Sequence, residues 1–182
     1  MRAVAAVRAG VRSIAPMATL TIRPATPDDL SLILSLVREL ADYERAADAV
    51  VATEESLGRH LFGDGIGRGP VAECVIGEVG GEPQGFALYF HNFSTWRGAP
   101  GLYLEDLFVR PAARGLGLGR RLLAELARVA VDRGCQRFEW SVLDWNTPAI
   151  GFYRALGATP QDEWTTYRLT GDALRALAER AR

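Results

Sequence analysis

Leu104-Glu105-Asp106-Leu107-Phe108-Val109 runs on into Arg114-Gly115-Leu116-Gly117-Leu118-Gly119-Arg120, and this junction decides the fold. An apolar strand carrying two acids passes into a glycine loop, and the loop opens a helix with Leu118, Leu122, Leu126 and Val129 at helical spacing. Gly134 then supplies a stop. Glycines let the backbone approach an anion closely, and the first N–H groups of the helix after Gly117 are free to point at it. Arg114 and Arg120 add positive charge where phosphates would lie. The pattern predicts a site that holds a phosphorylated cofactor beside a reacting group.

Spacing excludes two other glycine loops. A nucleotide-hydrolase loop ends Gly-Lys-Ser/Thr, whereas this one ends Gly119-Arg120-Arg121. A dinucleotide fingerprint needs a small residue where this chain has Leu122.

Working outward, the chain has 182 residues, 48% of them hydrophobic, enough for one α/β domain with a sizeable core. With Lys+Arg 21 against Asp+Glu 22 and a formal net charge of -1, there is no broad basic surface for nucleic acid. Cys74 and Cys135 lie far apart and fit no disulfide or metal framework, so packed thiols in a reducing, cytoplasmic compartment are expected. His60 and His91 alone make no metal cluster, and no metal is expected. Residues 1–18 carry three arginines and no acid, which fits either a short transit peptide or a flexible extension ahead of a second start at Met17. The domain is expected to span 19–182. No run is long and apolar enough for a membrane span.

Periodicity and breakers predict a strand at 20–23, a helix over 27–43 with Leu30, Ile33, Leu36, Val37 and Leu40 on one side, and a helix from Thr53 to near Phe62. Residues 63–70 read as a loop. Strand-like runs at 71–79 and from 86 to 90 flank a turn at 80–85, an antiparallel hairpin. Strands at 102–109 and 138–143, joined by the crossover helix, should be parallel neighbours. A short helix at 148–156 closed by Gly157, a strand at 165–169 and a helix at 172–181 complete the α/β reading.

Together, Ile22-Arg23-Pro24-Ala25, Tyr43-Glu44, Tyr103-Leu104-Glu105-Asp106, the glycine loop, Asp144-Trp145-Asn146 and Phe152-Tyr153 resemble the diamine branch of the Gcn5-related N-acetyltransferase (GNAT) superfamily, from about Thr21 onward. The chain is similar to the spermidine/spermine acetyltransferases and, through Ser94-Thr95-Trp96 and Val142-Leu143-Asp144-Trp145-Asn146, more so to the thialysine acetyltransferases. The resemblance implies an α+β mixed sheet in which the strands 102–109 and 138–143 splay apart to admit the pantetheine arm of acetyl-CoA. It also implies cofactor contacts from the backbone of Leu107, Phe108 and Val109, from Arg114, Gly115, Leu116, Gly117, Leu118, Gly119 and Arg120, and from Asn146, Thr147, Pro148 and Ala149. Relatives of this kind act on small-molecule amines and form homodimers, for which the strand near Thr165 is a plausible exchange surface.

An acceptor amine with a free pKa of about 10.4 costs roughly 4–5 kcal/mol to present neutral at pH 7. Glu105, an acid in an otherwise apolar strand, is expected to accept that proton directly or through a water, the alternative being a structural acid salt-bridged at a strand bulge. Asp106 faces elsewhere unless a bulge intervenes. By resemblance Tyr153 protonates or hydrogen-bonds the departing CoA thiolate, the alternative being core packing. The N–H near Leu107 is the candidate oxyanion donor.

For the substrate tail the candidates are Tyr43, Glu44, Trp96, Asp162 and Glu163, because acids and aromatic faces attract cations. Glu139, Trp140 and Ser141 join Glu105 and Asp106 as substrate contacts by resemblance. Ser94 stands where the spermidine enzymes tend to have an acid, and the loop before Trp164 is shorter than theirs. Both departures favour a short acceptor, a thialysine-like amino acid or a small diamine. Acetylation of another amine, or a silent acyl-CoA-binding module, stays open.

Overall fold

The computed structural model describes residues 18–63 and 69–181. The expected extension at 1–18, up to residue 17, and most of the loop at 63–70 therefore lie outside the described residues. Five strands, β1 (Leu20–Pro24), β2 (Glu73–Val79), β3 (Glu82–Ser94), β4 (Ala99–Val109) and β5 (Phe138–Trp140), stand in that order in one mixed sheet. The first four pair antiparallel, and β5 joins β4 in parallel.

The β2–β3 turn is tighter than 80–85. Only Gly80 and Gly81 connect the strands, with φ of 62° and 87°, the left-handed pair that a two-residue hairpin requires. The ladder continues through Pro83, which pairs with Glu78 beside a register shift, where a residue without an N–H is tolerated.

The apolar stripe of the first helix forms α1 (Leu30–Tyr43), entered through a single 3-10 turn at Pro27–Asp29, and Thr53 caps α2 (Glu54–Leu61). From these helices Ile33, Leu36, Leu40 and Leu61 pack with Cys74, Ile76, Phe86, Leu88 and Phe108 on one face of the sheet. Burial pushes the Cys74 thiol up to about 12. The crossover helix α3 (Leu118–Asp132) packs against β1 to β4 with Leu118, Leu122 and Leu126 buried. Gly77 permits that approach, since a Cβ there would lie 3.0 Å from Leu118 Cδ1.

Two irregularities in β4 shape the site. Leu88 pairs with Asp106 and Tyr89 with Leu104, so Glu105 is an extra, bulged residue. Plain alternation would leave Leu104, Asp106 and Phe108 on one face. The bulge instead turns Asp106 and Phe108 onto the α1 face, with their partners Leu88 and Phe86, while Leu104 stays opposite. The parallel ladder holds only Leu102 to Phe138, Tyr103 to Glu139 and Leu104 to Trp140. The second strand is thus shorter than 138–143, and residues 105–109 of β4 run past the end of its ladder.

Arg23 anchors the entry to α1. Its Nη1 and Nη2 reach the two Asp29 oxygens at 2.7 and 2.8 Å, and its Nε reaches Glu78 at 2.7 Å. The Arg23 guanidinium, helped by Thr26 and opposed by burial, holds the Asp29 carboxyl down from 3.8 to about 2. A depressed folded-state value adds stability above the unfolded value and loses it as pH falls toward 2. Asp29→Asn is expected to cost about 2 kcal/mol at pH 7, a deficit that closes in acid, as urea titrations at pH 7 and pH 2 would measure.

The described residues divide into two compact units, one running to Ser141 and the other starting at Val142. The second contains α4 (Thr147–Ala155) and α5 (Gly171–Glu179). Residues 165–169, expected as a strand, are irregular and exposed. Their composition suits a strand, but an extended segment needs a neighbour's ladder, and the sheet formed by the described residues has its last strand at β5.

Candidate active site

Three acids gather where α1 ends and β4 bulges. Glu105 is exposed, and Asp106 is half-buried on the α1 face. Burial, followed by the charges of Glu105 and Glu44, pushes the Asp106 carboxyl up from 3.8 to about 6. Glu44, at the C-terminal end of α1, is also raised by burial. The acid pressed into apolar surroundings is therefore Asp106, whereas the sequence singles out Glu105. Only the bulge, which depends on the β3 register, turns Asp106 inward.

At the glycine loop, Gly115 and Gly117 take φ of 80° and 91°, and the backbone bond Arg121 N–H to Gly117 O lies at the helix entrance. Leu118, Gly119 and Arg120 precede that bond in the first turn, where N–H groups lack helical acceptors. These N–H groups are available to an anion, next to the stretch of Leu107, Phe108 and Val109 that runs past the parallel ladder. Arg114 is engaged at the junction: its Nε donates to Val109 O at 3.0 Å, and its guanidinium lies 4.7 Å from the Tyr43 ring centroid and 5.9 Å from that of Phe108. It ties strand end, loop and α1 together. Gly117→Ala would place an L-residue in the left-handed region at a cost of about 1–2 kcal/mol. If the loop shifts to relieve this, the phosphorylated cofactor expected from the sequence should bind roughly tenfold more weakly, as titration calorimetry would show.

The other expected contacts separate by face and by unit. Glu139 and Ser141 lie on the Tyr103 face, and Tyr103 Oη and Ser141 Oγ are 2.8 Å apart. Trp140, opposite Leu104, is on the α3 face instead, so the run from Glu139 to Ser141 does not line one surface. Glu139 accepts from Asn92 Nδ2 at 3.0 Å and lies 2.8 Å from Arg137 Nε; sequence reasoning missed both partners. Trp96 is at the β3–β4 hairpin tip, before β4 begins at Ala99, and Ala99 is itself six residues from Glu105, or about 20 Å of strand. Ser94 is buried and accepts from Arg97 N at 3.3 Å, a turn-forming role.

Within the second unit, Asn146 Oδ1 accepts from Ala149 N at 3.3 Å and caps α4, with Thr147 and Pro148 in its first turn. Tyr153 is half-buried on the same helix, its ring centroid 5.4 Å from that of Phe152. Asp162 and Glu163 lie in the irregular stretch between α4 and α5.

The model of the Acetyltransferase (GNAT) family matches residues 36–158. The thialysine N-epsilon-acetyltransferase of Bos taurus is 42% identical over 173 residues, covering 89% of this chain and 99% of its own length. The L-ornithine N5-acetyltransferase of Arabidopsis thaliana is 33% identical over 199 residues, covering 86% of each. Among solved structures, an integron cassette protein from the mobile metagenome of V. cholerae matches with a TM-score of 0.72 and 27% identity, over 88% of this chain and 98% of that one.

Proposed function

The chain belongs to the GNAT acetyltransferase family, an amine N-acetyltransferase by its relatives, and from that premise we propose its acceptor and mechanism. The acceptor is the terminal primary amine of a thialysine- or lysine-like amino acid or of a short diamine, which attacks the thioester of acetyl-CoA directly. The observation that carries this reading is the Glu44, Glu105 and Asp106 cluster at the β4 bulge, next to the strand edge that runs past the parallel ladder.

The cofactor residues suit acetyl-CoA, which supplies an activated acetyl group and a thiolate leaving group. The edge of Leu107 to Val109 beyond the parallel ladder offers backbone groups to an extended amide-bearing arm, and the α3 N-terminus offers N–H groups to a pyrophosphate. Asn146 to Ala149 complete the cofactor contacts, with Asn146 acting mainly through the helix it caps.

Exposed Glu105 hydrogen-bonds the incoming ammonium and orients it. Asp106, with a carboxyl near 6, is matched to receive the proton close to neutral pH, directly or through a water, because a base works best when its pKa lies near the operating pH. The Leu107 N–H stabilises the oxyanion, and Tyr153 gives a proton to the departing thiolate. Tyr43 and Glu44 bound the acceptor, since an acid and an aromatic face both favour a cation.

The test is thiol release from acetyl-CoA by purified protein with thialysine, lysine, ornithine, putrescine, spermidine and an aminoglycoside. Preferential turnover of a short amine supports the reading. Turnover of spermidine or the aminoglycoside alone would replace the acceptor class, and no turnover despite CoA binding would replace the enzyme by a cofactor-binding module. The same reading takes the protein as a cytoplasmic homodimer, whose assembly equilibrium sedimentation would measure.

A further inference from the structure

We propose that Arg137 and Glu139 form the subsite for the head group of an amino-acid acceptor, Arg137 receiving the α-carboxylate and Glu139 the α-ammonium. The inference rests on the amine-acetylation reading of the Glu105 site and selects between its two acceptor classes.

The register puts these residues on the face that carries Asp106. Glu139 opposes Tyr103, Asn92 opposes Gly101, and the Tyr103 ring packs at a tilt against Phe90 with centroids 5.2 Å apart. Leu102 N–H donates to Arg137 O at 3.0 Å, which fixes Arg137 beside the start of the parallel ladder. Gly101 opens the space between them. A Cβ there would lie 2.3 Å from Asn92 Oδ1 and 2.8 Å from Arg137 Cγ, so only glycine lets both side chains cross β4.

The cluster is left with unused polar capacity. Glu139 Oε2 takes the Asn92 Nδ2 bond at 3.0 Å and lies 2.8 Å from Arg137 Nε, a contact of charges whose N–H is not aligned on the oxygen. Arg137 Nη2 reaches Phe93 O at only 3.3 Å. Asn92 Oδ1 and Arg137 Nε are both buried without a hydrogen-bond partner. Buried polar atoms are almost always satisfied in folded proteins, so two together require an explanation. The opposite charges beside them are reachable, with side chains 33% and 36% exposed for Arg137 and Glu139. A guanidinium fork next to a carboxylate matches a zwitterionic head group, the fork taking a carboxylate in two parallel bonds.

The spacing also fits. Tyr103, which Glu139 opposes, is two residues before Glu105, or roughly 7 Å along the strand, with a lateral offset of about 4.8 Å to the neighbouring strand. That span suits the side chain of lysine or thialysine, with its reacting amine at Glu105 and its α-carbon group at Arg137 and Glu139. A plain diamine would leave Arg137 unmatched.

The test compares acceptors that differ only in the carboxylate, thialysine against its decarboxylated diamine and lysine against cadaverine, by steady-state kinetics. Wild type is expected to favour the carboxylated member of each pair. Arg137→Gln should raise KM for thialysine roughly 10–100-fold while moving KM for the diamine by less than about twofold and leaving kcat in place. Arg137→Lys should recover part of the loss. Glu139→Gln should raise KM for both members, because each carries a second ammonium. Lack of discrimination by wild type, or an equal effect of Arg137→Gln on both members, overturns the subsite. If no amine is acetylated the catalytic reading itself fails, and calorimetric binding of thialysine to wild type and to Arg137→Gln then decides the subsite separately.

Discussion

Replacing Tyr153 by phenylalanine is expected to lower kcat by roughly 100- to 1,000-fold, within the range that a positioned proton donor contributes. KM for acetyl-CoA and the melting temperature should stay close to wild type. The change removes one hydroxyl and keeps the ring, and the ring is what Tyr153 shares with Phe152 at 5.4 Å. A side chain that serves only packing would give the reverse pattern, a small loss of activity from Tyr153→Phe and a large loss of stability from Tyr153→Ala. Thiol-release rates and thermal melts on the two variants separate the roles. Full kcat in Tyr153→Phe would remove the phenol from the mechanism.

Asp106→Asn should act on activity and stability in opposite directions. The Asp106 carboxyl stands at about 6 in the folded protein against a usual 3.8, first through burial and then through Glu105 and Glu44. A folded-state value raised above the unfolded one means that the native state binds more protons between these values, so stability falls as pH climbs from about 4 to 6 and stays reduced above. A neutral asparagine escapes this cost and should be more stable by about 2–3 kcal/mol at pH 7, the gain vanishing below pH 4. Activity should move the other way. With an ionised Asp106 as proton acceptor, kcat/KM should fall as pH drops below about 6, and Asp106→Asn should lose most of its turnover together with that acidic limb. Glu105→Gln, at an exposed position, should weaken the amine interaction without a stability gain. An Asp106→Asn protein that is neither slower nor more stable would sink this assignment.

Stability and activity are expected to oppose each other here because one carboxyl is held where solvent cannot hydrate its charge well. That arrangement is costly to the fold and useful to a base. Arg23 and Asp29 show the converse case, in which an acid is matched by a bidentate guanidinium and adds to stability.

Much of this was legible in the amino-acid order. Leu30, Ile33, Leu36 and Leu40 repeat at a helical period that has no competing reading, and α1 follows them. The glycine loop announced both its left-handed turns and the helix it opens, because Gly115 and Gly117 remove the Cβ that would forbid those turns. Glu105 stood out as an acid in an apolar strand, one residue from the acid that the fold presses inward. The match to the GNAT family extends the same local signals, since they lie in one continuous stretch.

What stayed hidden depends on pairing between distant segments. Glu105 is extra only because Tyr89 pairs with Leu104 and Leu88 with Asp106, and that single slip decides which acid is buried. Trp140 faces away from Glu139 because the parallel ladder sets its alternation against Leu104. Residues 165–169 have strand-like chemistry but no neighbouring ladder, and β propensity without a partner does not make a strand. Arg137 gave no signal at all, since its relation to Asn92 exists only through the gap at Gly101, on a different strand. Local preference reaches only a few residues along the chain, so it can settle each helix and turn. The register of a sheet is a sum over residues far apart in sequence, and the side-chain constellation that it creates forms only when the strands meet.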